Sequence, residues 1–285
     1  MLYFDARDES GGLQAQCRIR WLRDLGAQPI QAASRNAQGY VFAGDRGIQD
    51  YLELLSHQAS LKDRAEARRD LQDLSSVLDR VVSLGIPTPR TWRLELDAQL
   101  PDDLQFPLFV RTARTSWKLG GGVSRVQTIL QLQEECQELR HAFGWNSTIL
   151  ARQWIEFESA GTWRRGDLPV EVRVWIVDRK PAAWSFHHLH VVARPRGFPP
   201  SMSDLELLER YARHIGRAFD SRLIVADFAR DKKGAWWLVE ADNGSPAGTA
   251  HEAVFKSVAE RLDGRPVRRF SDTVGGTMDL LESDP

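Results

Sequence analysis

The stretch Asp227–Gly248, DFARDKKGAWWLVEADNGSPAG, reads as the core of a two-stranded hairpin. Leu223–Phe228 (LIVADF) is an apolar run broken only by the carboxylate of Asp227. Lys232, Lys233 and Gly234 supply the turn, and Ala235–Val239 (AWWLV) forms the returning strand. Glu240, Asp242 and Asn243 follow, then a Gly/Pro-rich corner and a helix from Thr249 to Leu262. Asp227 ends the apolar part of one strand and Glu240 that of the next, so pairing brings both carboxylates to one end. Two carboxylates and an amide oxygen that converge suit a magnesium ion that keeps water and phosphate ligands. An ordinary hairpin with a solvated acidic end has the same pattern, and the hairpin alone does not choose between the two.

Composition narrows the field. With 285 residues and 42% hydrophobic side chains, the chain has enough material for a buried core and two or three lobes. A formal net charge of −1 provides no overall field toward nucleic acid or an anionic membrane, although a local basic groove stays open. Cys17 and Cys136 stand far apart and without metal-type spacing, which suits a reducing compartment. The opening MLYFDARDESGG has neither the basic start nor the apolar core of a secretion signal, and no run approaches membrane-spanning length. Cytoplasm is the expected location. Ten tryptophans are present, and those on presumed strands (Trp154, Trp175, Trp184, Trp236, Trp237) are first explained by core packing.

Residues 1–58 suggest a small α/β lobe, with strands at Leu2–Phe4 and Tyr40–Ala43 and helices at Leu13–Leu25 and Ile48–Leu55. Asp5 and Asp8 follow the first strand and Gly11–Gly12 precede the first helix, which marks either a turn or a ligand site at a strand's carboxyl end. From Ser60 the chain is charged and helical. Leu71, Leu74, Val77, Leu78, Val81 and Val82 line one face until Gly85, Pro87 and Pro89 end the helix, and a strand follows at Trp92–Leu96.

In Phe106–Thr128, FPLFVRTARTSWKLGGGVSRVQT, the strand PLFV delivers Arg111. A loop with Ser116, Lys118 and Gly120, Gly121 and Gly122 then leads to a second strand. Three glycines let backbone N–H groups approach an anion closely, while Arg111 and Lys118 bring positive charge; a mobile surface hairpin is the competing reading. No GKS or GKT opens a helix here, so this is not the Walker loop. An amphipathic helix follows over 128–141 and a strand over Ile149–Ile155. Ser159–Asp167 reads as a charged excursion. Along Val170–Val177 (VEVRVWIV) Glu171, Arg173 and Trp175 share one face, which is either a polar cleft or a solvent-facing ion pair. His187, His188 and His190, on the expected strand Ala182–Val192, lack the i,i+4 spacing of a helical zinc motif.

Taken in order, LGIPTPRTW, FVRTARTSWKLGGGV, ILARQWIEF, PVEVRVWIVDRKPAAWS and VADFARDKKGAWWLVEADNGSPAG resemble the successive landmarks of the ATP-grasp superfamily over roughly residues 60–262. The resemblance implies an α/β (α+β) fold in which two antiparallel-sheet lobes clasp ATP. It divides the chain into an N-terminal lobe (1–58), a small lobe with the phosphate loop (59–148), a large lobe with the metal hairpin (149–264) and a tail (265–285).

The same resemblance implies Asp227, Glu240 and Asn243 as magnesium ligands, and Arg111 and Lys118 as phosphate contacts. Ser116 and Gly120, Gly121 and Gly122 would form the closing loop. Gln153, Trp154 and Ile155 would line the adenine slot, Glu171 would bind the ribose, and Arg173 and Lys118 would act on the reacting phosphate. Two departures stand out: Arg111 occupies a position usually held by lysine, and Gln153 one that often carries a carboxylate.

The implied reaction uses ATP and Mg2+ to convert a substrate carboxylate into an acyl phosphate, which an amine or similar nucleophile then captures. The expected partner is a small molecule or peptide bearing a carboxylate. A membrane is not expected, nucleic acid is disfavoured, and a homodimer stays open. Two other classes remain: a grasp-fold protein that phosphorylates a nucleotide or a nucleic-acid end, and a non-catalytic nucleotide-binding protein. Arg152, Arg164, Arg165, Arg194 and Arg196 are read either as anion-binding side chains or as surface charges.

Overall fold

Alternating apolar residues on the central strands, together with two strongly amphipathic helices, build two four-stranded antiparallel sheets beside a small parallel one. The computed structural model describes residues 1–7, 13–33, 39–42, 65–95, 99–114, 125–163, 166–186, 200–244, 252–265 and 270. The expected helix Ile48–Leu55, the loop carrying Ser116, Lys118, Gly120, Gly121 and Gly122, the histidines His187, His188 and His190, and Arg164, Arg165, Arg194 and Arg196 lie outside the described residues.

In the N-terminal lobe β1 (Leu2–Phe4), α1 (Leu13–Asp24), β2 (Gln28–Pro29) and β3 (Tyr40–Phe42) follow in order, and β1 lies between β2 and β3 with both pairings parallel. Two helices, α2 (Ala65–Gln72) and α3 (Leu74–Val82), then lead into the small sheet. Its strands are β4 (Thr91–Leu94), β5 (Leu108–Thr112), β6 (Arg125–Val126) and β7 (Ile149–Gln153), in the order β4-β7-β5-β6, with α4 (Ile129–Phe143) before β7. A separate hairpin, β8 (Ser159–Trp163) and β9 (Gly166–Pro169), precedes the large sheet. The large sheet has the order β11-β10-β12-β13, formed by β10 (Glu171–Val177), β11 (Lys180–Phe186), β12 (Leu223–Arg230) and β13 (Trp236–Asn243). Helix α5 (Met202–Ala218) precedes β12, and α6 (Glu252–Leu262) follows β13.

The two faces of the large sheet have different jobs. Val172, Val174, Ile176, Ile224, Ala226, Phe228, Trp236 and Leu238 pack against Leu205, Leu208, Ala212 and Ile215 of α5. On the other face Trp175, Val177, Leu223 and Val225 meet Val254, Phe255 and Val258 of α6 and, beyond them, Leu2, Phe4, Trp21 and Phe42 of the N-terminal lobe. That cover stops short of Arg173, Asp227 and Glu240, which share this face. In the small sheet, Leu108, Val110, Ile149 and Ala151 pack on Leu132, Cys136 and Leu139 of α4, which leaves the opposite face to Arg111 and Arg152.

Several expectations need correction. The single helix expected up to Gly85 is two, because Asp73 takes an extended backbone and caps α3 by accepting hydrogen bonds from the N–H groups of Ser75 and Ser76. Leu71, Val77 and Val81, assigned with the small lobe, pack into the core of the large sheet. Residues 149–153, expected to open the large lobe, form the strand between β4 and β5 of the small sheet, so the change of lobe comes after Gln153. The charged excursion Ser159–Asp167 is largely the β8–β9 hairpin.

Helix α5 approaches the β10–β11 turn closely at Gly216, where an added Cβ would lie 2.8 Å from the carbonyl oxygen of Arg179 and 2.9 Å from Cγ2 of Ile176. Gly216→Val is expected to destabilise the fold by about 1–3 kcal/mol through overpacking, read as a lower urea midpoint at unchanged slope.

Candidate functional site

Register, rather than any one motif, assembles the site. Across the large sheet Arg173 pairs with Asp227, and Asp227 pairs with Glu240, so the three side chains stand in one row on the face away from α5. Arg173 donates from Nε to Asp227 Oδ1 and from Nη2 to Oδ2, each at 2.8 Å, a two-pronged ion pair with both residues buried. Glu240 accepts from Nη2 of Arg111 at 3.0 Å across the gap between the two sheets. The row therefore runs cation, carboxylate, carboxylate, cation. The face shared by Glu171, Arg173 and Trp175 is thus a buried, polar one rather than a solvent-facing ion pair at Arg173.

Burial pushes the Asp227 carboxyl above the usual carboxylate range. The Arg173 guanidinium pulls it back, and the negative charge of Glu240 adds to the rise. Burial would by itself lower Arg173, but the Asp227 carboxylate and its hydrogen bonds hold the guanidinium more firmly protonated than usual. Glu240, beside Asp227, is partly exposed and carries the row toward solvent.

Strand β13 reaches this row through a β-bulge. Asp227 faces Glu240 but Phe228 faces Leu238, so Val239 is an extra residue in β13. The bulge lets Trp236 and Leu238 pack toward α5 while Glu240 and Asp242 fall on the cleft face. It also turns the Val239 carbonyl toward the small sheet, where it accepts a hydrogen bond from Nη1 of Arg152 at 2.8 Å. The two sheets are thus joined at neighbouring residues, Arg152 to Val239 and Arg111 to Glu240.

The structure brings together Arg111, Arg173, Asp227 and Glu240 of the residues singled out in the sequence. Asn243 is one step out of phase: it pairs with Ile224, on the α5 side, and its buried amide donates from Nδ2 to Ser221 Oγ at 3.4 Å. The residue that shares the face of Glu240 is Asp242, paired with Val225. Glu171 lies half-buried on the same face, opposite Ala229.

Beyond β7, Gln153 is exposed; its side-chain oxygen accepts from the N–H of Arg90, and its own N–H bonds to the Arg90 carbonyl. Its side chain projects from the face opposite Arg152. Trp154 donates from its backbone N–H to Pro107 and from Nε1 to Glu156, and the Arg125 guanidinium lies 5.5 Å from its ring centre. Ile155 is half-buried beside it. Arg152 is the cleft-facing member of this segment. A preference for surface arginines hides it in the sequence; the signal that finds it is strand phase, because Ala151 belongs to the core beneath α4.

A divalent cation is compatible with these donors. Asp227 and Glu240 offer hard carboxylate oxygens on facing residues, with Asp242 two places further along, and magnesium commonly needs only one or two carboxylates when phosphate and water complete its shell. Among the described residues no group of three or more histidine, cysteine, aspartate or glutamate side chains forms a self-sufficient metal cluster.

A family model described as an ATP-grasp domain, the third family of its clade, matches residues 54–262. No curated protein sequence matches the chain. Among solved structures, a RimK domain protein ATP-grasp from Sphaerobacter thermophilus DSM 20745 superposes with a TM-score of 0.58 at 14% identity, over 92% of this chain and 98% of that one. The N5-carboxyaminoimidazole synthase from Aspergillus clavatus, in complex with ADP and 5-aminoimidazole ribonucleotide, gives 0.64 at 12% identity over 94% and 77%. The N5-carboxyaminoimidazole synthetase from Staphylococcus aureus, complexed with ADP, gives 0.65 at 12% identity over 94% and 78%. At these identities the likeness establishes the fold.

Removing one member of the buried pair leaves a charge without its partner. Asp227→Ala is expected to cost about 3–5 kcal/mol, whereas the double replacement Arg173→Met with Asp227→Leu should recover most of that loss, both measured by chemical denaturation.

Proposed function

The chain belongs to the ATP-grasp domain family, and from that membership we propose that it is an ATP-dependent, ADP-forming ligase joining a substrate carboxylate to an amine. The observation that carries this reading is the charged row Arg173–Asp227–Glu240–Arg111, which lines the gap between two antiparallel sheets and links one sheet to the other. ATP is held between the sheets, with the phosphates toward Arg111 and the base toward residues 153–155. Magnesium, held by Glu240 and Asp227 with Asp242 nearby, supplies charge neutralisation at the phosphates when bound.

The residues of this chain supply position and charge. Arg111 is buried, so its guanidinium meets an anion in a medium of low dielectric, and Glu240 holds that guanidinium in place. Arg173 fixes the Asp227 carboxylate by both oxygens and favours its ionised form against the effect of burial. The substrate carboxylate oxygen attacks the γ-phosphorus, the bond to ADP breaks, and an acyl phosphate results. The acceptor nitrogen then forms the C–N bond, and inorganic phosphate and a proton leave. No protein nucleophile is needed. A closed cleft is, because water competes for the acyl phosphate; the Gly-rich loop with Ser116, Lys118, Gly120, Gly121 and Gly122 is the proposed cover. The partner is a carboxylate-bearing small molecule or peptide. Among the described residues no helix is long and apolar enough to cross a membrane.

Thermal melts with ADP or ATP, with and without magnesium, test this on the wild type and on Glu240→Gln. Ligand at about 100 times its dissociation constant adds roughly 2.7 kcal/mol, which is a rise of a few degrees in a chain of this length. The expected result is a magnesium-dependent rise that shrinks in the variant. A melting temperature unmoved by every nucleotide would refute the reading.

A further inference from the structure

Arg152 is a buried cation whose bonding is incomplete. It is 3% exposed, and its fork is held on two sides only: Nε donates to Thr91 Oγ1 at 3.4 Å and Nη1 to the Val239 carbonyl at 2.8 Å. Nη2 is buried and meets no hydrogen-bond acceptor among the described residues. Nor does a carboxylate among them lie within ion-pair distance of this side chain. Buried charges in proteins are ordinarily paired and fully hydrogen-bonded, because an unpaired one loses its hydration without compensation.

The surroundings sharpen the point. Burial first, and then the neighbouring Arg111 guanidinium, lower the pKa of Arg152 to about 9, with Glu240 pulling the other way. Glu240 gives its hydrogen bond to Arg111, so two adjacent cations share one carboxylate. Arg111 pairs with Leu150, and Arg152 lies two residues on in β7, so the two arginines are diagonal neighbours on one face of the small sheet. What this corner lacks is negative charge.

We propose that Arg152 is a second phosphate-binding arginine of the site, donating from Nη2 to an anionic oxygen of the bound nucleotide beside Arg111. This rests on the nucleotide-binding reading of the same cleft. It commits to the nucleotide phosphate because Arg152 adjoins both parts of the proposed nucleotide site. Residues 153–155, given to the base, follow it directly in the chain, and Arg111, given to the phosphates, stands diagonally beside it. The two-pronged guanidinium can keep its tether to Val239 with one arm and offer the other to the ligand, which a lysine cannot do.

Calorimetric titration of ADP and of adenosine into the wild type, Arg152→Met and Arg152→Lys tests the assignment. Melting of each variant without ligand establishes that it folds. The expected result is a loss of about 10- to 100-fold in ADP affinity for Arg152→Met with adenosine affinity unchanged, the range of a charge-assisted hydrogen bond. Arg152→Lys should fall between, and it carries the comparison if the methionine variant does not fold. Equal losses for ADP and adenosine would overturn the proposal in favour of a role in shaping the cleft. Unchanged ADP affinity would also overturn it, and would return the missing anion to the acid substrate. A wild type that binds ADP no better than buffer would instead refute the nucleotide-binding reading itself, and this inference with it.

Discussion

A guanidinium and a carboxylate buried inside a sheet can be tolerated only if they meet, and the large sheet is arranged so that Arg173 and Asp227 do. They are direct cross-strand partners on β10 and β12, joined by two hydrogen bonds of 2.8 Å. Because side chains alternate along a strand, a one-residue slip of β12 would send Asp227 into the apolar layer against α5 and leave Arg173 without its partner. The pair thus helps to specify the register, and the register in turn puts Glu240 beside Asp227. Two adjacent carboxylates repel, and an arginine at each end of the row limits the cost: Arg173 from the same sheet and Arg111 from the other.

The rest of the molecule is built to let this polar row lie inside a protein. One face of the large sheet is committed to α5. The other is shared, with α6 and the N-terminal lobe sealing the Trp175 and Val225 end and the polar row keeping the remainder. Tryptophans that reach polar surroundings find partners: Trp236 donates to Asp204, and Trp237 donates to Asp231, which also organises the hairpin turn by accepting from the N–H groups of Lys233 and Ala235. The aromatic richness of the sequence thus serves packing and the fixing of turns together.

Much of this is legible in the sequence. The hairpin at Asp227, the strand that ends in Arg111 and the alternation around Arg173 are local patterns, and a sequence displays local patterns directly. Pairing over long distances, and its irregularities, are not displayed. The family resemblance points to Asn243 as the third member of the acidic site, but strand phase after Glu240 puts Asp242 on that face and Asn243 on the other. The resemblance also draws attention to Gln153 before the linker between the sheets, yet its side chain is exposed and the neighbouring Arg152 faces the cleft. Nothing in the composition of ILARQWIEF distinguishes these two; only the packing of Ile149 and Ala151 beneath α4 does. The break between α2 and α3 is hidden because an apolar stripe can continue across two helices, while Asp73 acts through its own backbone bonds.

The extra residue at Val239 has one more implication. Residues i and i+2 of a regular strand share a face, so Trp236, Leu238, Glu240 and Asp242 would all point the same way if β13 ran without interruption. The bulge divides the strand into an oily half and an acidic half that obey different frames, and Val239 belongs to neither. Shortening the chain by that single residue would leave every buried side chain on its present side. It would remove the carbonyl to which Arg152 is tied, and with it one of the two fastenings between the sheets. What looks like a trivial difference in strand length is therefore a difference in how two lobes are hinged.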